Sequence, residues 1–303
     1  MSLRVAAITV TYRGGDSSRA WAAALLESLR LVRPGAVELT VIAVDNASGD
    51  GTAAELRKVA PWIQVLDMPH NAGFAAGCNV GVRHAGNVDL LALINPDVRV
   101  HESFLTSLVA IDWPADVAAR GPRVLTPEGL MEQSARGFPR LTTAMFGRTS
   151  LLTRLLPGVP VVRRELRALP IAEPSDVDWV SGACIVMPRE RFDRVGPLDE
   201  GYFMYWEDAD WCRRAHEAGL RIVYDPRMVV THHQGSSSRS RPVATTVAFH
   251  RSALRYWRIH AAGSLFSVVA AAGLLAVRCS LKLFAVGLAT LARRGSTGRT
   301  RAR

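Results

Sequence analysis

Cysteine is scarce in this chain. There are four in 303 residues, Cys78, Cys184, Cys212 and Cys279, and no two form a C-x-x-C pair. Such scattered thiols exclude a zinc ribbon or a disulfide scaffold and fit a reducing cytoplasm. No run of eighteen apolar residues occurs; Ala261–Val277, uncharged and mostly apolar, stops at seventeen. That is at the short limit for a bilayer-spanning helix. Arg4 is followed at once by a strand-like run, not by the long apolar segment and small-residue site of a secretory leader. No signal peptide is therefore expected. Internal repeats and extended low-complexity tracts are also lacking.

Acidic residues are lacking at one end. Asp225 is the last of them, and thirteen Lys and Arg follow it, leaving 24 basic and 27 acidic residues in positions 1–225. The net charge of +10 thus belongs to a basic tail on a mildly acidic body. A nucleic-acid enzyme more often carries its basic surface on the catalytic body, so no nucleic-acid partner is expected. With 49% hydrophobic residues the chain can bury a sizeable core, as one large α/β domain or two small ones.

The first hundred residues alternate strand and helix signals. Leu3–Thr11, Glu38–Val44, Ile63–Leu66 and Asp89–Ile94 read as strands. Ser18–Val32, capped by Ser17 or Ser18, Thr52–Ala60 and Ala75–His84 read as helices. Such short alternation predicts a mostly parallel sheet covered on both faces, with ligands outside the carboxyl ends of the strands. The segments just beyond those ends are polar: Thr11-Tyr12-Arg13-Gly14, Asp45 to Thr52, Asn71 to Asn79, and Asn95-Pro96-Asp97. Residues from about 139 to 176, rich in Pro and Arg, read as an irregular insertion that could frame an acceptor pocket. A strand over Trp179–Met187, a helix over Ala209–Ala218 stopped by Gly219, and a strand over Arg221–Thr231 follow.

Several of these segments have two readings. Asp45 and Asn46 can bind a base and a ribose hydroxyl, or can form an Asx turn before the next helix. Gly73 and Gly77 open a helix and allow close approach of a phosphate, although such a loop alone is weakly specific. Asp97 offers an oxygen ligand to a hard divalent cation, or belongs to a Pro-centred turn. The sharpest segment is Tyr202 to Arg214, where Glu207, Asp208 and Asp210 lie within four positions among six aromatic or Met residues. Mutual repulsion and desolvation raise carboxylate pKa values toward the range of a general base, which a merely solvated helix start would not need. His232 and His233 at a strand end can offer an imidazole to a metal or simply decorate the surface.

Taken together, VTY, VDNASGDGT, NAGFAAGCNVG, INPDV, WVSGACIVM, LDEGYFMYWEDADWCRRAHEAG and HHQGSS resemble the family 2 glycosyltransferases of the GT-A fold, especially bacterial cell-envelope rhamnosyltransferases. The resemblance covers roughly residues 3–240. It implies an α/β, Rossmann-like sheet flanked by helices, a nucleotide-binding half over 1–100 and an acceptor and catalytic half over 101–240. It implies donor binding by Thr11, Asp45, Asn46, Asn71, Gly73, Asn79, Asn95 and Asp97. Asp208 would be the catalytic base with Glu207 beside it. Trp179, Ser181, Gly182, Trp206 and Asp210 would border the acceptor and the sugar. Asp97 and His232, the latter in an H-x-x-G-x-S pattern with Gly235 and Ser237, would hold Mg²⁺ or Mn²⁺. The chain departs from the family's D-x-D motif at Asn95, so the metal site carries one negative charge fewer. The implied reaction is an inverting transfer from a dTDP- or UDP-sugar, dTDP-rhamnose first among them, to a polyprenyl-linked glycan or polysaccharide.

The tail over 241–303 reads as an amphipathic, basic helical segment. Arg278 and Lys282 separate Ala261–Val277 from a second apolar run, Leu283–Ala292. This predicts a helix lying on the cytoplasmic face of the cell membrane, with arginines against anionic lipid; a pair of ordinary core helices is the alternative. Two rival functions stand beside the transferase: a sugar-phosphate nucleotidyltransferase, whose Gly-rich first loop Thr11 to Gly15 only faintly resembles, and a non-catalytic nucleic-acid binder, which the pI near 10.3 favours and the charge distribution opposes.

Overall fold

The computed structural model describes residues 2–139, 172–233, 242–260 and 265–300. These fall into two units, one drawn from residues 2–138 and 172–233, the other carried by residues 242–260 and 265–300. The expected insertion over 139–176 lies, but for its ends, outside the described residues, as do Gly235 and Ser237.

The first unit is built on one sheet. Its strands are β1 (Leu3–Thr11), β2 (Val37–Asp45), β3 (Gln64–Asp67), β4 (Leu90–Ile94), β5 (Val98–Val100), β6 (Val117–Leu125), β7 (Met131–Glu132), β9 (Ser175–Val177), β11 (Cys184–Pro188) and β12 (Arg221–His232). A separate two-stranded ribbon pairs β8 (Ala135–Arg136) with β10 (Trp179–Val180). The main order is β3-β2-β1-β4-β11-β6-β12-β5, with β7 on β6 and β9 on β12. The first four strands of that order run parallel; β11 is antiparallel to both β4 and β6. Strand β1 alternates between two cores. Val5 and Ala7 face α1 (Gly15–Arg30), α2 (Thr52–Val59) and α4 (Phe104–Ala110) through Trp21, Leu25, Leu56 and Phe104. Ala6, Ile8 and Val10 face α3 (Phe74–His84), α5 (Arg189–Val195) and α6 (Glu207–Glu217) through Cys78, Phe192 and Trp211. Covering on both faces is why the strand reads as an unbroken apolar run.

Two local expectations change. Helix α1 begins at Gly15, with Gly14 as its N-cap. Ser17 and Ser18 lie inside it, and the Ser18 hydroxyl is spent on Thr11 Oγ1 at 2.9 Å. The strand expected over Trp179–Met187 is two strands, because the backbone turns at Ser181 to Ala183 to meet α6.

The second unit contains α7 (Pro242–His260) and α8 (Leu265–Thr300). Helix α8 continues through Arg278 and Lys282, which separate its two apolar runs. Their charged ends lie 5.7 and 5.8 Å from the centre of the Phe249 ring on α7. The exposed positions between Leu265 and Gly287 consequently carry no charge.

Candidate active site

The carboxyl ends of β1, β2 and β4 bring three polar segments together, as parallel strands must. Thr11 and Asp45 are paired across β1 and β2, and Asn46 N donates to Thr11 O at 2.8 Å. The Asp45 carboxylate, 6% exposed, accepts from the Ser48 N–H at 3.1 Å and from the Ser48 hydroxyl. These bonds reach three residues ahead, not the two of an Asx turn, and they do not cap α2, whose N-cap is Gly51. Asn46 fastens the next loop, accepting from Ala72 N at 3.0 Å and donating to Gly73 O at 2.9 Å. Asn71 closes its own turn by accepting from Gly73 N at 3.1 Å.

The glycines of this loop serve packing. Gly73 has φ +94°, and a Cβ there would lie 2.3 Å from the Phe203 carbonyl oxygen; at Gly77 it would lie 2.6 Å from Val10 Cγ1. Protein atoms thus fill the space that their missing side chains leave. Phe74 N donates to Phe203 O at 2.8 Å, tying the loop to the aromatic segment before α6. Asn79 is likewise spent internally. Its amide donates to Leu198 O and Glu200 Oε1, both at 2.9 Å, and accepts from Leu198 N at 3.0 Å.

Three carboxylates sit at the start of α6, where the helix dipole favours negative charge. Tyr205 and Trp206 precede them with φ of +70° and +74°, a costly conformation for bulky residues that concentrates at functional sites. The three carboxylates have different fates. Asp210, 1% exposed, accepts from the Tyr202 hydroxyl at 3.2 Å and from Arg214 Nε at 2.9 Å, and so braces the helix. Glu207 is 6% exposed, and its Oε2 has no hydrogen-bond partner among the described residues. Burial, then the charge of Asp208, pushes its pKa well above the ordinary carboxylate value. Asp208 is half-buried. Burial raises its pKa too, against the opposing N–H groups of Gly182 and Ala209 and the charge of Arg136. Its Oδ2 accepts from Gly182 N at 2.7 Å and its Oδ1 from Ala209 N at 2.8 Å. A Cβ on Gly182 would stand 3.2 Å from that carboxylate. A small cleft lined by Phe74, Gly182, Glu207, Asp208 and Trp211 adjoins the pair.

The turn that presents Asp208 also holds the N-P-D segment, since Asn95 N donates to Ala183 O at 2.9 Å. Asn95 Oδ1 is buried with no partner among the described residues. Asp97 O accepts from His233 N at 2.9 Å, where β12 pairs with β5. His232 Nε2 faces Asp97 Oδ1 at 3.5 Å and its Nδ1 faces Glu132 Oε2 at 3.1 Å. Burial alone would lower the His232 pKa, but the two carboxylates raise it to about 9. Tyr205 lies within the fields of both Glu207 and Asp97, and burial, then those charges, raises its phenol. The ribbon β8–β10 lays Arg136 over the Trp179 ring at 4.9 Å, and Trp179 Nε1 donates to Gly137 O at 2.9 Å. Ser181 N donates to Ser134 O at 2.8 Å.

The structure thus gathers Asn95, Asp97, His232, Gly182, Asp208 and Glu207 on one bonded frame, and Thr11, Asp45 and Asn46 on another. Sequence reasoning missed Glu132, Ser48 and Arg136. Ser48 could have been found as the first hydroxyl after Asp45 in the same polar loop. Glu132 and Arg136 sit in short, weakly patterned strands with no local signal. Chemically, the first frame offers a carboxylate that can take a proton, joined through the turn Ser181 to Ala183 to a segment that bears oxygen and imidazole groups.

A model of glycosyl transferase family 2 matches residues 7–130. An N-acetylglucosaminyl-diphospho-decaprenol L-rhamnosyltransferase of Mycobacterium tuberculosis is 31% identical over 297 residues, spanning 91% of this chain and 93% of that protein. A rhamnosyltransferase of Escherichia coli K12 is 26% identical over 178 residues, 55% of this chain and 63% of its own. Among solved structures, a mannosyltransferase from Pyrobaculum calidifontis with GDP-Man and Mn²⁺ superposes with a TM-score of 0.57 at 16% identity, covering 98% of this chain and 80% of that one. GalNAc-T7 with UDP, GalNAc and Mn²⁺ gives 0.56 at 18%, covering 77% and 44%. At such identities the structural likeness speaks to the fold.

Proposed function

The chain belongs to glycosyl transferase family 2, and from that premise we propose that it is an inverting rhamnosyltransferase acting on a polyprenyl-diphosphate-linked or polysaccharide acceptor at the cytoplasmic face of the membrane. The observation that carries the reading is the join between Asp208 and the Asn95-Asp97-His232 group, made through Gly182 and Ala183. It sets a base beside a site for a charged leaving group. The identity to the mycobacterial enzyme over nearly the whole of both chains supports the rhamnosyl donor, with dTDP-rhamnose as first choice, and the lipid-linked acceptor.

Asp208 takes the proton of an acceptor hydroxyl. The freed oxygen forms a bond to the anomeric carbon as the bond to the nucleoside diphosphate breaks on the opposite face, so the centre inverts and the diphosphate departs. Burial raises Glu207 well above the ordinary carboxylate value, while the N–H groups of Gly182 and Ala209 favour the charged form of Asp208. Asp45 and Thr11, paired across β1 and β2, would bind the base and ribose of the donor.

The residues suit a divalent cation. Asn95 Oδ1 is buried without a partner among the described residues. The 3.5 Å between His232 Nε2 and Asp97 Oδ1 is within the roughly 4.2 Å that two donors each about 2.1 Å from one ion can span. Asn95, Asp97 and His232 would hold Mg²⁺ or Mn²⁺, which when bound neutralises charge on the departing diphosphate.

Membrane association is supported by α8. Its segment Leu265–Gly287 is long and apolar enough to cross a bilayer, about 34 Å at 1.5 Å per residue, and Phe266 and Phe284 are 83% and 67% exposed. The test of the whole reading is transfer from a panel of nucleotide sugars to lipid-linked N-acetylglucosamine with Mg²⁺, Mn²⁺ or EDTA. Rhamnosyl transfer lost with EDTA is expected. Release of pyrophosphate from a nucleoside triphosphate and a sugar phosphate would favour the nucleotidyltransferase instead. Removing residues from 260 onward should release the protein from membranes.

A further inference from the structure

Glu132 lies one hundred positions from His232 in the chain, on the short edge strand β7, where Val124 of β6 is its partner in register. Nothing in its local sequence singles it out. In the fold its Oε2 stands 3.1 Å from His232 Nδ1, while the other ring nitrogen, Nε2, is turned to Asp97 at 3.5 Å. All three side chains are largely shielded from water, at 16% exposure for His232, 15% for Asp97 and 19% for Glu132.

An imidazole pinned in this way has one orientation. With Nδ1–H donated to Glu132, the nitrogen left to a cation is Nε2, which faces the carboxylate of Asp97 and exchanges its proton for the ion. Without an acceptor at Nδ1 the ring could turn or present the wrong tautomer. A carboxylate on the far nitrogen also makes the ligating nitrogen more basic.

We propose that Glu132 is the positioning residue of the metal site, fixing His232 so that Nε2 and the Asp97 carboxylate face a divalent cation together. The assignment rests on the reading of Asp97 and His232 as metal-binding residues and adds to it a group that does not itself touch the metal. It also offsets the missing acid at Asn95. The negative charge absent from the inner set is restored one bond away, through the histidine.

The experiment is a titration of the full chain with Mn²⁺ in the presence of dTDP, read by the electron paramagnetic resonance of free Mn²⁺, alongside dTDP binding in EDTA. For Glu132→Ala, Mn²⁺ affinity should fall about 10–100-fold while dTDP binding in EDTA is unchanged. Glu132→Gln, whose amide oxygen still accepts from Nδ1, should fall less, and it serves alone if the alanine variant does not fold. Mn²⁺ affinity in Glu132→Ala equal to wild type, with Asp97→Ala losing the ion, would overturn the role of Glu132 and leave the metal reading standing. An Asp97→Ala protein that binds Mn²⁺ as the wild type does would overturn both. Equal losses of Mn²⁺ and of metal-free dTDP binding in Glu132→Ala would show a general disturbance and would also overturn the assignment.

Discussion

Replacing Asp208 by Asn separates the two adjacent carboxylates of α6. In the wild type, both Asp208 oxygens accept backbone N–H bonds, from Gly182 at 2.7 Å and Ala209 at 2.8 Å. Those bonds oppose the rise in pKa that burial imposes. Glu207 has no such help at Oε2, and its burial raises it well above the ordinary carboxylate value. Asp208 is therefore the one of the two whose charged form is favoured by neighbouring N–H groups, and it is the less buried. An amide cannot take a proton, and a positioned general base contributes about 10²–10⁴-fold. Asp208→Asn should lose that factor in kcat, about 2.7–5.4 kcal/mol of barrier at 1.36 kcal/mol per decade. Glu207→Gln exchanges a neutral acid for a neutral isostere and should lose no more than about tenfold. The assay is rhamnosyl transfer at saturating donor and acceptor, with thermal melting as the check of folding. The raised pKa of Asp208 gives a second signature. Wild-type kcat falls as pH drops through that raised value, because the carboxylate gains the proton, and the limb should vanish in Asp208→Asn. A folded Asp208→Asn protein as active as wild type, or a larger loss in Glu207→Gln, would refute the assignment of the base.

Other consequences follow from the same contacts. Asn95→Asp restores an acid beside Asp97 and should tighten Mn²⁺ binding by about tenfold, measured by titration with dTDP present; weaker binding would count against Asn95 as part of the metal site. Gly73→Ala places a methyl group 2.3 Å from the Phe203 carbonyl at φ +94°, at a cost of at least about 1–3 kcal/mol, so a melting temperature equal to wild type would contradict the packing described. Asp225 is fully buried and bonded to Arg120 at 2.9 Å and Arg227 at 2.7 Å. Asp225→Ala strands the buried Arg120 and should cost about 3–5 kcal/mol, roughly 10 °C in Tm, in a denaturation experiment. The raised pKa of Glu207 means the folded chain holds a proton that the unfolded chain releases near the ordinary value of 4.5. Its contribution to stability is complete below that value and is lost as pH rises through the folded one. Between pH 5 and pH 8, Glu207→Gln should therefore lose less Tm than wild type, and parallel curves would exclude the raised pKa.

Much of the architecture was legible in the linear order of residues. Unbroken apolar strands such as Leu3–Thr11, alternating with short helices, predict a parallel sheet buried on both faces, and the structure has it. The family was legible as well, because the motifs lie at strand ends and helix starts where spacing is held by the fold, and the relatives bear it out. The use of individual side chains was less legible. The space beside the Cα atoms of Gly73 and Gly77 is taken by Phe203 and Val10. The Asn79 amide is bonded to Leu198 and Glu200. Local sequence offers the same small or amide residue for packing or for a ligand, and only the neighbouring segment decides which.

What the sequence alone determined is what depends on nearest neighbours and period: the sheet, the order of its elements, the acidic-aromatic start of α6 and the confinement of positive charge to the tail. Tertiary structure decided everything that needs two distant segments to meet. It set Glu132 on His232 across a hundred residues, bent the chain at Gly182 so that a backbone N–H reaches Asp208, and distinguished three carboxylates that read alike. It also turned Arg278 and Lys282 onto Phe249 and left an uncharged face on α8. The physical reason is common to all four. Desolvation and hydrogen-bond geometry depend on what fills the space around a group, and that space is closed by residues from elsewhere in the chain.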